Sequence, residues 1–375
     1  MKEEQPLGGK ILTPTFMFCL LILLISFLFI AKRFMYGLGA VTNMSDGYPW
    51  GIWIAFDVVV GTAFGCGGYA MAILIYLFNK GEYHPLIKPA LATSLFGYSL
   101  AGLAVFFDVG RYWQIYNIFL PWYMNPNSVL LEVALCIGAY VAVLWIEFTP
   151  VFLQKLGAGS AKKSLEKIMF IFIALGILLP TMHQSSLGTL MVVAGNKLSP
   201  LWWTGLLPLL FLISCIFMGY AIVISEASAT GRRFNLPDET HLLGKVSAVM
   251  AYLIAVYLVI RFADVAIRGH LGLAFNGDLK GNMFLLENLL LLVPMGILFI
   301  PANRNNARLL FLSAVSIVLS GALYRFNTYL IGFDPGAGWK YFPAAGEILI
   351  TLGIVSIEIM AFLWFIKKLP VYHRA

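Results

Sequence analysis

Trp50-Gly-Ile-Trp-Ile-Ala-Phe-Asp57-Val-Val-Val-Gly-Thr-Ala-Phe-Gly-Cys-Gly-Gly-Tyr-Ala-Met-Ala-Ile-Leu-Ile-Tyr-Leu-Phe78 carries one charged side chain, Asp57, in a stretch long enough to cross a bilayer. Apolar runs of similar length recur from one end of the chain to the other. They are continuous and lack a period of two, so they read as helices and not as barrel strands. With 60% hydrophobic and 11% charged residues and a mean hydropathy of +0.86, the 375-residue chain reads as an all-α integral membrane protein.

Ten transmembrane helices are expected, near 11–31, 50–78, 87–108, 127–149, 165–181, 200–226, 243–266, 282–300, 308–330 and 345–366. The first is too long for a signal-peptide core and lacks a small-residue cleavage site, so it is expected to be retained. Of the 25 Lys and Arg, seven fall in odd-numbered loops: Lys32, Arg33, Arg111, Lys197, Arg268, Lys280 and Lys340. Arg261 and Arg325 fall inside spans, which leaves 16 for the tails and even-numbered loops, among them Lys2 and Arg374. By the positive-inside bias both termini of this multi-pass protein are cytoplasmic. The net charge of +7 therefore reports orientation, and lipid rather than nucleic acid is the expected surroundings.

An internal repeat is visible. Val105-Phe-Phe-Asp108-Val-Gly-Arg111 and Asn127-Ser-Val-Leu-Leu-Glu132 are echoed by Arg261-Phe-Ala-Asp264-Val-Ala-Ile-Arg268 and Asn282-Met-Phe-Leu-Leu-Glu287. Four helices separate the copies, which predicts two similar four-helix bundles, spans 2–5 and 6–9, flanked by spans 1 and 10. The corresponding divisions are residues 1–44, 45–199, 200–340 and 341–375. Chance likeness between short apolar strings is the competing explanation.

Asp57, Asp108, Glu132, His183, Arg261, Asp264, Glu287 and Arg325 all fall near the span ends assigned to the outer side. A charge in hydrocarbon costs about 2.5 to 3.5 kcal/mol on the lenient insertion scale, so groups kept there usually line a polar path. A bis-histidine haem is not expected: four of the five histidines (His84, His241, His270, His373) fall in loops or the tail, and His183 lies at a helix end. Cys19, Cys66, Cys136 and Cys215 stand one to a span without a Cys-x-x-Cys pair, so neither an iron–sulfur cluster nor another metal site is expected in this chain. Aromatic groups at Tyr48-Pro-Trp50, Arg111-Tyr112-Trp113 and Pro121-Trp-Tyr123 share the outer side, where anchoring to the interface is their simplest role. Together with carboxylates and an imidazole, they also suit a flat ring bearing two carbonyls, which describes a quinone.

The strings Gln5-Pro-Leu-Gly-Gly-Lys10, Pro49 to Asp57, His84-Pro-Leu86, Leu95-Phe-Gly-Tyr98-Ser-Leu100, Asp108-Val-Gly-Arg111-Tyr112-Trp113, Asn127 to Glu132 and Leu179-Pro-Thr-Met-His183-Gln-Ser-Ser186 resemble the NrfD/PsrC family. These are the membrane subunits of polysulfide and nitrite reductases and of nickel–iron hydrogenases, and the likeness runs nearly end to end. It implies a haem-free, quinone-reactive anchor for menaquinone or ubiquinone. It implies as partners a periplasmic four-cluster iron–sulfur subunit and the large and small subunits of a nickel–iron hydrogenase. The family's polar positions match Asp57, Lys88, Tyr98, Glu132, Glu147, His183 and Glu226, which the resemblance makes a proton path. Lys88 departs from the arginine expected there, which weakens any bidentate contact. Asp57, Arg111, Tyr112, Trp113, Glu132 and His183 form the expected quinone site, with no residue of this chain acting on hydrogen. Glu132 and Glu147 share one helix about 22 Å apart, so Tyr98 and water are needed between them. The same role for a polysulfide- or nitrite-reductase-type enzyme, and a proton-coupled secondary transporter, are the alternatives.

Overall fold

The computed structural model describes residues 4–373; Lys2 and Arg374, counted with the tails above, lie outside them. Within that range ten helices are long and apolar enough to cross a membrane: Pro14–Tyr36, Trp53–Leu77, Gly81–Asp108, Val129–Lys155, Met169–Val193, Leu207–Phe234, Thr240–Ile267, Leu279–Phe299, Ala307–Ile331 and Ala345–Lys368. They are called spans 1 to 10 below.

Local chemistry explains the ends. Thr13 caps span 1 by accepting from the Phe16 N–H at 3.3 Å, with Pro14 in the first turn where its missing donor is harmless. The span then runs to Tyr36, so Arg33, expected in a loop, is instead a buried helix residue. Its guanidinium donates to the Phe107 carbonyl at 2.7 Å and the Val109 carbonyl at 2.6 Å, satisfying acceptors that the end of span 3 leaves open. Span 5 is expected to end near residue 181, just past Pro180. The helix continues through it to Val193, as packed membrane helices permit. His183 consequently lies inside the span and not at its end.

Span 2 is the irregular one. It opens as a π-helix, Trp53–Val58, turns at Gly65 and Cys66, and closes as a second π-helix, Ile73–Leu77. Its glycines let neighbours come close. A Cβ at Gly65 would lie 2.8 Å from the Tyr98 ring, one at Gly68 would lie 2.8 Å from Ser94 Oγ, and both contacts are to span 3.

Span 2 packs on spans 3, 5, 6 and 9. Span 5 lies against span 6 as span 9 lies against span 2, the exchange that a two-fold axis between the two expected bundles requires. Spans 1 and 10 pack on each other, and span 10 leans on span 3. Both chain ends meet at one end of the molecule, where Glu4–Gln5 pairs antiparallel with Tyr372–His373 and the Leu7 and Gly8 N–H groups donate to the carbonyls of Ile366 and Lys367. The odd-numbered loops lie at the opposite end.

Candidate functional site

A hydrogen-bonded cluster sits where spans 2, 3, 5, 6 and 9 converge. Tyr98 and His183 are ten residues inside the odd-loop ends of spans 3 and 5, about 15 Å at helical rise. The Tyr98 hydroxyl is 2.9 Å from His183 Nε2, and the His183 Nδ1 is 2.9 Å from the Leu179 carbonyl. Cys66 Sγ, at the break in span 2, is 3.4 Å from the same hydroxyl. Gln184 donates from Nε2 to Thr62 Oγ1 at 3.1 Å and accepts at Oε1 from Arg325 at 3.0 Å. Every one of these side chains is buried. Tyr140, on span 4, packs edge-on against Tyr98 with ring centroids 4.6 Å apart.

Tyr140 also forms the inner wall of a cavity of about 250 Å³ between spans 2 to 5, lined further by Tyr69, Lys88, Glu147, Glu166 and Gly176. At about 30 Å³ per water this space holds several molecules. Glu147 lies two helical turns from Tyr140 on the same face of span 4. Gly176 makes room for it, since a Cβ there would lie 2.9 Å from Glu147 Oε1. Lys88, Glu147, Tyr98 and His183 thus follow one another from the termini end toward the middle, through Tyr140.

The remaining expected site residues do not converge on a single pocket with His183. Asp57 faces span 10 and accepts from Thr351 Oγ1 at 2.8 Å. Glu132 is exposed at the seam of spans 4 and 5, where it accepts from Ser186 Oγ at 2.8 Å. Ser186 is three residues beyond His183, so the seam lies next to the ring without a hydrogen bond between Glu132 and His183. Arg111 and Trp113 are exposed on the loop after span 3, while Tyr112 is packed edge-on to Phe34 at 4.8 Å beneath the Arg33 guanidinium. The short helix Tyr112–Phe119, which Arg111 precedes, carries Tyr112 and Trp113. Glu226 faces a different side of span 3 from the Glu147 cavity and accepts from Thr93 Oγ1 at 2.5 Å and Tyr372 OH at 3.2 Å.

In the second bundle, Arg261 pairs with Glu287 at 2.7 Å and not with Asp264 along its own helix. Asp264 is taken by Arg268, one turn on, at 2.7 Å. Trp202 Nε1 and Asn327 Nδ2 complete the shell of Glu287, at 3.0 and 2.7 Å. Gln184, Thr62, Cys66, Tyr140, Gly176 and Ser186 were outside the expected site. Only Gln184, beside His183 in the chain, and Tyr140, seven residues before Glu147, carried a signal that spacing could have exposed.

A family model described as polysulphide reductase, NrfD, matches residues 40–332. Over 372 residues the chain is 46% identical to the "Probable Ni/Fe-hydrogenase 2 b-type cytochrome subunit" of Escherichia coli (strain K12), covering 98% of this chain and 95% of that one. It is 28% identical over 377 residues to the "Menaquinone reductase, integral membrane subunit" of Nitratidesulfovibrio vulgaris, with 90% and 86% covered. To a selenate reductase subunit of Mesobacillus selenatarsenatis it is 23% identical over 388 residues, with 90% and 88% covered. The first of these names overturns the expectation that the chain carries no haem, since it describes a similar protein as a b-type cytochrome. His183 is the buried histidine among the side chains described, and both its ring nitrogens are engaged, so the residues around it as they stand do not make a bis-histidine iron site.

Proposed function

Because this chain belongs to the NrfD family of membrane subunits, we propose that it is the quinone-reactive membrane subunit of a nickel–iron hydrogenase complex. In this reading it passes electrons between a periplasmic iron–sulfur subunit and menaquinone or ubiquinone, and couples that transfer to proton movement across the membrane. The termini face the cytoplasm of a bacterial inner membrane, which the excess of Lys and Arg at that end supports.

The observation that carries the reading is the Tyr98–His183 hydrogen bond deep in the bundle. A cavity that Glu147 and Lys88 help to line approaches it from the termini end, and the Glu132–Ser186 seam approaches it from the other. A quinone head entering from lipid between spans 4 and 5 meets Glu132 and Ser186 as hydrogen-bonding groups. Protons for its carbonyl oxygens then come from the cytoplasmic side along Glu147, water, Tyr98 and His183. Hydrogen oxidation on the periplasmic side releases protons there, so uptake from the opposite side separates charge.

The test is menaquinone binding to the purified complex in nanodiscs. Saturable binding that E132Q weakens at least tenfold supports the reading, whereas no binding to the intact complex leaves only a structural anchor. The same chemistry serving another periplasmic oxidoreductase is the second reading, favoured by the likeness to menaquinone and selenate reductase subunits. Identification of the proteins that co-purify with the chain decides between the two. A secondary transporter would instead carry solute flux without any redox partner.

A further inference from the structure

Arg325, on span 9, is buried, and no carboxylate lies within ion-pair distance of it among the described residues. Neutral groups hold it. One terminal nitrogen donates to Ser214 Oγ at 2.9 Å and Met218 Sδ at 3.2 Å; the other donates to Gln184 Oε1 at 3.0 Å and the Phe211 carbonyl at 3.2 Å. The Phe211 ring lies 5.0 Å from the guanidinium carbon. An unpaired cation at this depth is costly, so its placement calls for a role.

A guanidinium has only donors, so the Gln184 atom turned toward it is the amide oxygen. The amide nitrogen is thereby turned the other way, toward Thr62 Oγ1 at 3.1 Å and His183 Nε2 at 3.2 Å. On the far side of the ring, the Leu179 carbonyl only accepts, so His183 Nδ1 carries a hydrogen. A second hydrogen on Nε2 would point at the Gln184 NH₂, donor against donor. Nε2 therefore keeps its lone pair, and the Tyr98 hydroxyl donates to it. The titratable rings packed on His183 are Tyr98 and Tyr140, with centroids 5.3 and 6.4 Å away.

We infer that Arg325 is a positioning residue: through Gln184 it holds the His183 ring as a proton acceptor at Nε2, facing Tyr98. This deepens the proton-path reading and rests on it for its use, but the state of the ring is readable without turnover.

The experiment is solid-state NMR of the full-length chain in lipid at pH 7 with ¹⁵N-labelled histidine, the His183 signal being assigned by its loss in H183Q. The wild-type ring is expected with hydrogen on Nδ1 and none on Nε2. In R325M the freed amide turns its oxygen to the ring, and the signal moves toward the doubly protonated form. Q184E, which keeps Arg325 and places an acceptor beside Nε2, gives the same shift, and R325K restores the wild-type pattern. An unprotonated Nε2 in both R325M and Q184E overturns the positioning role, whatever happens to quinone turnover. A shifted ring with unaltered turnover upholds the positioning role and counts against the proton path instead.

Discussion

Arg261 and Glu287 form a 2.7 Å ion pair sealed between spans 7 and 8, with Trp202 and Asn327 donating to the same carboxylate. The Arg261 guanidinium also lies over the Tyr324 and Phe284 rings, at 4.8 and 5.0 Å. Removing one member of such a pair strands the other charge. R261M is therefore expected to destabilise the chain by about 3 to 5 kcal/mol, and R261M/E287L by clearly less. Thermal unfolding of the purified complex checks this; equal losses in both variants would place the cost elsewhere.

Tyr98 offers the middle of the bundle its hydroxyl, and Y98F removes that group while keeping the ring packed against Tyr140. Quinone-linked turnover is expected to fall about 100-fold, the lower end of what a lost proton-transfer group costs. The amount of assembled complex should be unchanged. Assays of turnover and of membrane content, run side by side, check both halves.

Glu147 is the carboxylate that span 4 places in the cavity, so E147Q is expected to abolish the dependence of the reaction on membrane potential while leaving the complex assembled. Each charge moved through 100 mV is worth about 2.3 kcal/mol, so the loss is easily read in liposomes under an imposed potential. G176V, which pushes a side chain toward the same carboxylate, should weaken the coupling as well. Full voltage dependence in E147Q would remove the path.

Asp57 is held by Thr351 on span 10 and has no hydrogen bond to Tyr98 or His183. Asparagine at 57 still accepts that hydroxyl, so D57N should stay within about threefold of wild type, a change under about 1 kcal/mol. A loss comparable to that in Y98F would bring Asp57 back into the path. Steady-state quinone reduction in membranes distinguishes the two outcomes.

The glycines of span 2 show how far the sequence could be read. Gly61, Gly65 and Gly68, spaced four and three, announce a close helix contact, and Gly65 and Gly68 do meet span 3. Nothing in that spacing says that Cys66, in the turn between them, reaches Tyr98, or that Gly176 opposes Glu147. The end of span 5, expected near residue 181, is a similar case: neighbouring spans support the helix through Pro180 to Val193, and His183 moves from an edge to the interior. Glu132 and Glu287 occupy matching repeat positions, yet one is exposed beside Ser186 and the other is buried on Arg261.

By itself the sequence determined the ten spans and the identity of the polar residues kept within apolar runs. Those follow from constraints acting along one helix at a time, because a bilayer demands length, apolarity and internally paired backbone from each segment separately. Only the tertiary structure decided which polar groups meet: Tyr98 with His183, Gln184 with Arg325, and Asp57 with Thr351 instead of His183. Such pairings depend on the rotation and offset of helices distant in the chain, and these are set by packing across many side chains at once.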